Sequence, residues 1–138
     1  MTTCTIRRQH ENTSLPELRG ARCSDFIAVS SEQGQRLGLL YIRLSGVWHR
    51  FYLDAGLLFW EEGSSPDPED DVLEGERYTD LGEALCVVDV AIGEIDMHDS
   101  QLTIQFENGA RLVLRNRAQD DGAEVVEFVA GRSSGQLG

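Results

Sequence analysis

The residues from Gly93 to Arg115, GEIDMHDSQLTIQFENGARLVLR, leave the chain little freedom in how it folds. Leu102, Ile104 and Phe106 alternate with Thr103, Gln105 and Glu107, the period of a strand with one buried face. Leu112 and Leu114 continue the apolar set beyond Asn108-Gly109. A two-residue turn would pair Phe106 with Arg111 and put both leucines on the wrong face. A three-residue loop, Glu107-Asn108-Gly109, pairs Phe106 with Ala110, Ile104 with Leu112 and Leu102 with Leu114. A slip of one residue inverts every side chain, so the spacing selects the second arrangement, with Gly109 in a left-handed bulge. On the other side, Asp99-Ser100 closes a tight turn that pairs Met97 with Leu102 and Ile95 with Ile104. Three antiparallel strands result, dry on one face and wet on the other.

A second meander runs from Leu37 to Glu61. Leu40, Ile42 and Leu44 alternate with Tyr41 and Arg43, and Ser45-Gly46 makes the turn. Val47, His49, Phe51 and Leu53 then alternate with Trp48, Arg50 and Tyr52. By analogy with the first meander, Asp54-Ala55-Gly56 is expected to form a three-residue loop pairing Leu53 with Leu57 and Phe51 with Phe59. Asp25–Ser31 reads as an earlier strand, and Ala123–Ala130 as a last one at a sheet edge. Ser14-Leu15-Pro16-Glu17-Leu18 carries the signals of a short helix, with Ser14 as N-cap and Gly20 as stop. A second short helix is expected within Leu81–Val90. The fold class is mainly β, with α+β left open. Two apolar sheet faces need each other, so an antiparallel sandwich or partly open barrel built from the two meanders is expected, with one or two short helices.

The chain has 138 residues, enough for one core. Residues 1–13 read as a flexible arm, 14–130 as a single globular domain and 131–138 as a disordered tail. No apolar run approaches the ~18 residues of a membrane span, and no apolar segment follows the arginines of the N-terminus, so neither a membrane anchor nor a signal peptide is expected. Cys4, Cys23 and Cys86 are widely spaced and odd in number, which suits a reducing cytoplasm better than a disulfide framework. Acidic residues number 24 against 12 basic, and every one of the 12 is arginine. The imbalance is local: 5 acidic and 7 basic residues lie up to Trp60, 19 and 5 beyond it. Such a charge repels nucleic acid and favours a cationic protein partner.

Residues 61–80, EEGSSPDPEDDVLEGERYTD, hold nine carboxylates and two prolines, the mark of an exposed acidic loop. Asp67, Glu69, Asp70 and Asp71 supply hard oxygen donors, but their spacing is not that of an EF-hand, so a solvated loop or a docking surface is expected rather than a metal site. Glu69, Asp70, Asp71, Glu74 and Glu76 are the candidate docking charges, with Trp48 and Trp60 as the aromatic anchors. In the expected register Tyr41 faces Arg50 and Arg50 faces Trp60, giving an aromatic–arginine stripe. That register also sets Glu61 opposite His49, a pair that could serve a pocket or a general base. Glycine-rich phosphate loops, GxSxG and HExxH are absent from the sequence, so no enzyme and no cofactor is expected.

The strand pattern L-x-I-x-F-x-N-G-x-x-L, carried by Leu102, Ile104, Phe106, Asn108, Gly109 and Leu112 and preceded by Ile95, resembles small bacterial proteins that include immunity proteins of toxin systems. The resemblance implies a bacterial, cytoplasmic, non-catalytic binding protein and carries over no functional residue. The sequence therefore points to an acidic, immunity-type inhibitor docking a cationic protein. A small-ligand site or modest enzyme at His49 and Glu61 is the first alternative, and a self-assembling homo-oligomer the second.

Overall fold

The computed structural model describes residues 6–31, 36–116 and 123–132. The expected turn at Glu32-Gln33-Gly34, Cys4 and most of the expected tail lie outside them. The described residues form eleven strands in one continuous antiparallel sheet. In chain order these are β1 (Ile6–His10), β2 (Thr13–Ser14), β3 (Arg22–Ser31), β4 (Arg36–Leu44), β5 (Val47–Asp54), β6 (Leu57–Glu62), β7 (Glu76–Asp80), β8 (Val90–His98), β9 (Gln101–Phe106), β10 (Arg111–Arg115) and β11 (Ala123–Val129). Two single-turn helices, α1 (Pro68–Asp71) and α2 (Leu81–Ala84), flank β7.

Both meanders form. In β8–β9–β10 the register is the expected one: Ile104 pairs with Leu112, Leu102 with Leu114 and with Met97, and Ile95 with Ile104. Gly109 stands at φ +91°, its N–H donates to the Phe106 carbonyl at 3.1 Å, and the Phe106 N–H donates to the Ala110 carbonyl at 2.9 Å. A three-residue loop therefore closes β9–β10, as parity demanded. Asp99 and Ser100 both adopt positive φ, 50° and 63°, in the tight turn between β8 and β9.

The second meander, β4–β5–β6, departs from expectation in its last hairpin. Leu53 pairs with Leu58, Phe51 with Trp60, Arg50 with Glu61 and His49 with Glu62. The turn has two residues, Ala55 and Gly56, at φ 53° and 80°, the mirror-image geometry whose twist matches the flanking strands. The expected three-residue loop is thus corrected by one position. The cause is the apolar run Leu57-Leu58-Phe59-Trp60, which puts an apolar residue inward in either register, so alternation could not choose.

The architecture is a closed six-stranded barrel with additional strands. Its walls are β3, β4, β11, β10, β9 and β8 in that order. Closure depends on the long β3 and β4, each of which shares its outer edge between two partners. Along β4, Leu40–Leu44 pair with β5, while Arg36 and Leu37 pair with Glu124 and Ala123 of β11. Along β3, Arg22 and Cys23 pair with β8 and the stretch from Ile27 to Ser31 pairs with β7. β11, expected at an edge, is instead held by β10 on one side and, at its start, by β4 on the other.

One apolar cluster fills the barrel and the inner face of the β5–β6 hairpin, joining Phe26, Ile42, Phe51, Leu58, Trp60, Ile95, Ile104 and Leu112. The tip of that hairpin is tied to the barrel. The Gly56 N–H donates to Asn116 Oδ1 at 2.7 Å, and the Asn116 N–H donates to the Ser100 carbonyl at 2.9 Å. A Cβ on Gly56 would lie 2.8 Å from Ser100 Oγ, so its positive φ and that approach both favour glycine there.

Two differences concern the N-terminal region. Ile6–His10, expected in a loose arm, pair with β6 from Glu62 to Leu58 as β1. An unpaired strand edge offers a row of main-chain donors and acceptors, and a polar segment can satisfy it without an apolar pattern. Ser14 is not a helix cap: it lies in β2 against Asp96, and a single 3₁₀ turn, Pro16–Leu18, starts from Leu15 with no side-chain cap.

Candidate functional site

The outer face of β4–β5–β6 carries Tyr41, Trp48, Arg50, Tyr52, Phe59 and Glu61, the complement of the residues that alternate into the core. Tyr41 faces Arg50 as expected. Glu61, not Trp60, completes the row on the far side, and its Oε2 accepts from Arg50 Nη1 at 2.9 Å. The Arg50 guanidinium lies 5.9 Å from the Tyr41 ring centre and 5.5 Å from that of Tyr52, within cation–π range. Tyr52 stacks on Phe59 with centroids 4.8 Å apart.

The acidic segment closes over part of this face. Asp67 caps α1 by accepting from the Glu69 N–H at 3.2 Å, and one helical turn brings Asp71 back beneath it. Asp71 Oδ2 accepts from the Asp67 N–H at 2.7 Å and from the Tyr78 hydroxyl at 2.8 Å. Asp71 Oδ1 accepts from the Tyr41 hydroxyl at 2.7 Å. Burial, reinforced by the hydrogen bond to Asp71, pushes both hydroxyls above the usual tyrosine range. Asp71 is therefore a buried strut, while Asp67, Glu69, Asp70 and Glu74 are exposed. Glu76 is half-buried and accepts from the Leu73 N–H at 3.0 Å. Leu73, amid these carboxylates, is 66% exposed.

The two tryptophans lie on opposite faces. Trp48 is half-buried on the outer face, edge-on to Tyr41 at 6.5 Å, with Arg43 over its ring at 5.9 Å. Trp60 is 2% exposed on the inner face, stacked on Phe51 at 5.9 Å. Its Nε1–H donates to His49 Nδ1 at 3.0 Å. The sequence-derived grouping is thus corrected for Trp60 and Asp71, which are interior. Of the others, Trp48 and Glu76 are half-buried and Glu69, Asp70 and Glu74 are exposed.

His49 and Glu61 are not brought together, because the one-residue slip sends Glu61 to the opposite face of the hairpin. The cavity beside His49 is real, about 460 Å³, but Glu17 and Glu62 are the carboxylates that line it, along with Leu18, Leu44 and Trp60. Sequence reasoning missed Tyr78 and Leu73. The signal for the first lay in Arg77-Tyr78-Thr79, whose alternation of character is that of a strand.

Among the described residues no group of three His, Cys, Asp or Glu side chains is arranged to hold a metal ion, and no helix is long and apolar enough to cross a membrane. A scan against protein-family models and searches of curated proteins and of solved structures find no match to this chain.

Proposed function

We propose that this chain is a non-catalytic, cytoplasmic binding protein of immunity type, docking a cationic protein through the acidic α1–β7 segment and Trp48. The observation that carries the reading is the double role of Tyr41. Its ring meets Trp48 at 6.5 Å and its hydroxyl holds Asp71 at 2.7 Å, so the aromatic and the acidic segment share one face. Around that strut Asp67, Glu69, Asp70 and Glu74 point to solvent, with no basic residue in α1. Preordering lowers the entropy lost on docking. Exposed charge steers encounter over a Debye length of about 8 Å at physiological salt, whereas apolar groups such as the half-buried Trp48 and the exposed Leu73 set the lifetime of the complex.

The test begins with recovery of the partner from the native host at low salt, followed by stopped-flow kinetics. Replacing Glu69, Asp70 and Glu74 with their amides should slow association by about tenfold and flatten its salt dependence. Trp48→Ala should instead accelerate dissociation. An association rate indifferent both to salt and to the three amides would refute the reading. A second reading, a ligand pocket beside His49, has in its favour the cavity of about 460 Å³ lined by Glu17 and Glu62. It requires that a small cationic molecule raise the melting temperature and that Glu17→Gln weaken the effect.

A further inference from the structure

The barrel is not sealed along its whole height. β11 pairs with β4 only at Ala123 and Glu124, then continues along β10 alone. A bulge between Val113 and Leu114 resets its alternation, so that Val125 faces Leu114 and Phe128 faces Leu112. Leu112 is fully buried, yet Phe128, on the same inward face, is 45% exposed. The barrel interior opens sideways here, between β11 and β7.

The opening is a cavity of about 310 Å³. Leu37, Val125 and Phe128 make its apolar wall, and Ser30, Arg77 and Thr79 its polar side. The register explains the grouping: Ser30 pairs with Arg77 and with Leu37, and Thr79 with Ala28, so all these side chains share one face of the sheet. Tyr78, between them, points the other way to Asp71. Ser30 Oγ and Thr79 Oγ1 lie 2.7 Å apart, and the Ser30 hydroxyl donates to the Arg77 carbonyl at 3.4 Å. Arg77 is the one charged residue of the lining and is exposed. Among the described residues its guanidinium has no carboxylate partner. In a chain of net charge −12, an apolar cavity with a lone cation at its lip is chemically distinct from the rest of the surface.

We propose that this seam binds a small free carboxylate with an apolar body. A concave, mostly apolar site with a few convergent polar groups is the usual form of a small-molecule pocket, and 310 Å³ lies at the lower end of the usual size. At the ~30 Å³ that one water occupies in the liquid, the space suits about ten non-hydrogen atoms. The apolar body covers Phe128 and Val125, whose exposure otherwise costs hydrophobic free energy. The carboxylate meets Arg77, whose planar fork matches two oxygens, beside the polar Ser30–Thr79 pair. An ammonium head would meet like charge. The site is separate from the α1 face and stands or falls independently of it.

Octanoate, with ten non-hydrogen atoms, is the probe, and octylammonium and 1-octanol are its controls. In amide NMR titrations of the full chain, octanoate should shift Ser30, Thr79, Val125 and Phe128 with one-to-one saturation. Arg77→Gln, a surface change whose fold is checked by the same spectra, should weaken binding at least tenfold. Arg43→Gln, on another face, should leave it unchanged, and Phe128→Ala should weaken it several-fold. Octylammonium should leave the four amides unmoved, and octanol should bind more weakly than octanoate. The proposal is overturned by shifts that map elsewhere, by an Arg77→Gln variant that binds equally well, or by equal binding of the three probes. It is overturned also if the β11 amides shift with protein concentration alone, which would make the seam a contact between copies of the chain.

Discussion

Asp71→Ala removes the strut under the acidic segment, and the structure sets the size of the loss. Three donors converge on this carboxylate: the Tyr41 hydroxyl, the Tyr78 hydroxyl and the Asp67 N–H. Tyr41 is 1% exposed, so its hydroxyl cannot turn to water, and a buried donor left unpaired costs about 1–3 kcal/mol. The other two are partly exposed and regain solvent, so each loses nearer the ~1 kcal/mol of an ordinary net hydrogen bond. The sum is about 3–5 kcal/mol. For a domain of this length that lowers the melting temperature by roughly 10–20 °C. Urea unfolding followed by circular dichroism measures it. Tyr41→Phe should cost about 1.5–2 kcal/mol, and the double variant should fall short of the sum by about 1 kcal/mol or more, since both remove one interaction. An Asp71→Ala variant within ~0.5 kcal/mol of the parent, the range of an ordinary surface substitution, would refute the reasoning and make Asp71 one more solvated carboxylate.

The same strut carries a pH signature. Because the folded state raises the Tyr41 pKa above its ordinary value near 10, the unfolded chain loses that proton first. The contribution is complete below pH 10 and is lost as pH rises through the folded value, at about 1.4 kcal/mol per pH unit, and Tyr41→Phe should remove that share of the slope in urea titrations while the share of Tyr78 remains. A Cβ added at Gly109 would meet no atom within 4 Å, so Gly109→Val should cost mainly conformational strain at positive φ, about 1–3 kcal/mol by urea unfolding. In a Cys4→Ser background, a thiol reagent should modify exposed Cys86 within minutes. Cys23, buried and with its pKa pushed up to about 12 by that burial and by Asp25, should react only on unfolding.

How legible the fold was in the sequence varied with how strictly the alternation constrained each strand. β8, β9 and β10 carry apolar residues at every second position and polar ones between, so one register alone buries the set, and that register is found. Closure of the barrel left no such trace. It depends on two residue pairs, Ala123 with Leu37 and Glu124 with Arg36, between segments far apart in sequence. β1 and β2 were equally silent, because a strand that completes an edge needs main-chain groups more than side chains. In the site, the acidity of 61–80 was plain, but Asp70 and Asp71 are identical in sequence and opposite in fate. The turn of α1 sends the first to water and the second to Tyr41 and Tyr78.

The hairpin β5–β6 shows how a single position of register redistributes chemistry. With a three-residue loop, Glu61 would sit inside beside His49 and Trp60 outside beside Arg50. That arrangement buries a carboxylate and exposes the largest apolar side chain of the strand, a costly exchange. The two-residue turn reverses both placements at once. Trp60 enters the core, and its indole N–H, which can only donate, finds His49 Nδ1, which must then be the acceptor nitrogen. A neutral His49 consequently carries its proton on Nε2. Glu61 meanwhile meets Arg50, which also lies against the Tyr41 and Tyr52 rings. Arg50 and Glu61 thus stiffen the face that holds Trp48 and the acidic segment, and Glu61 is withheld from the imidazole. The face grouped around Tyr41 and the cavity beside His49 are therefore two sides of one hairpin, and its turn decides which residues each receives.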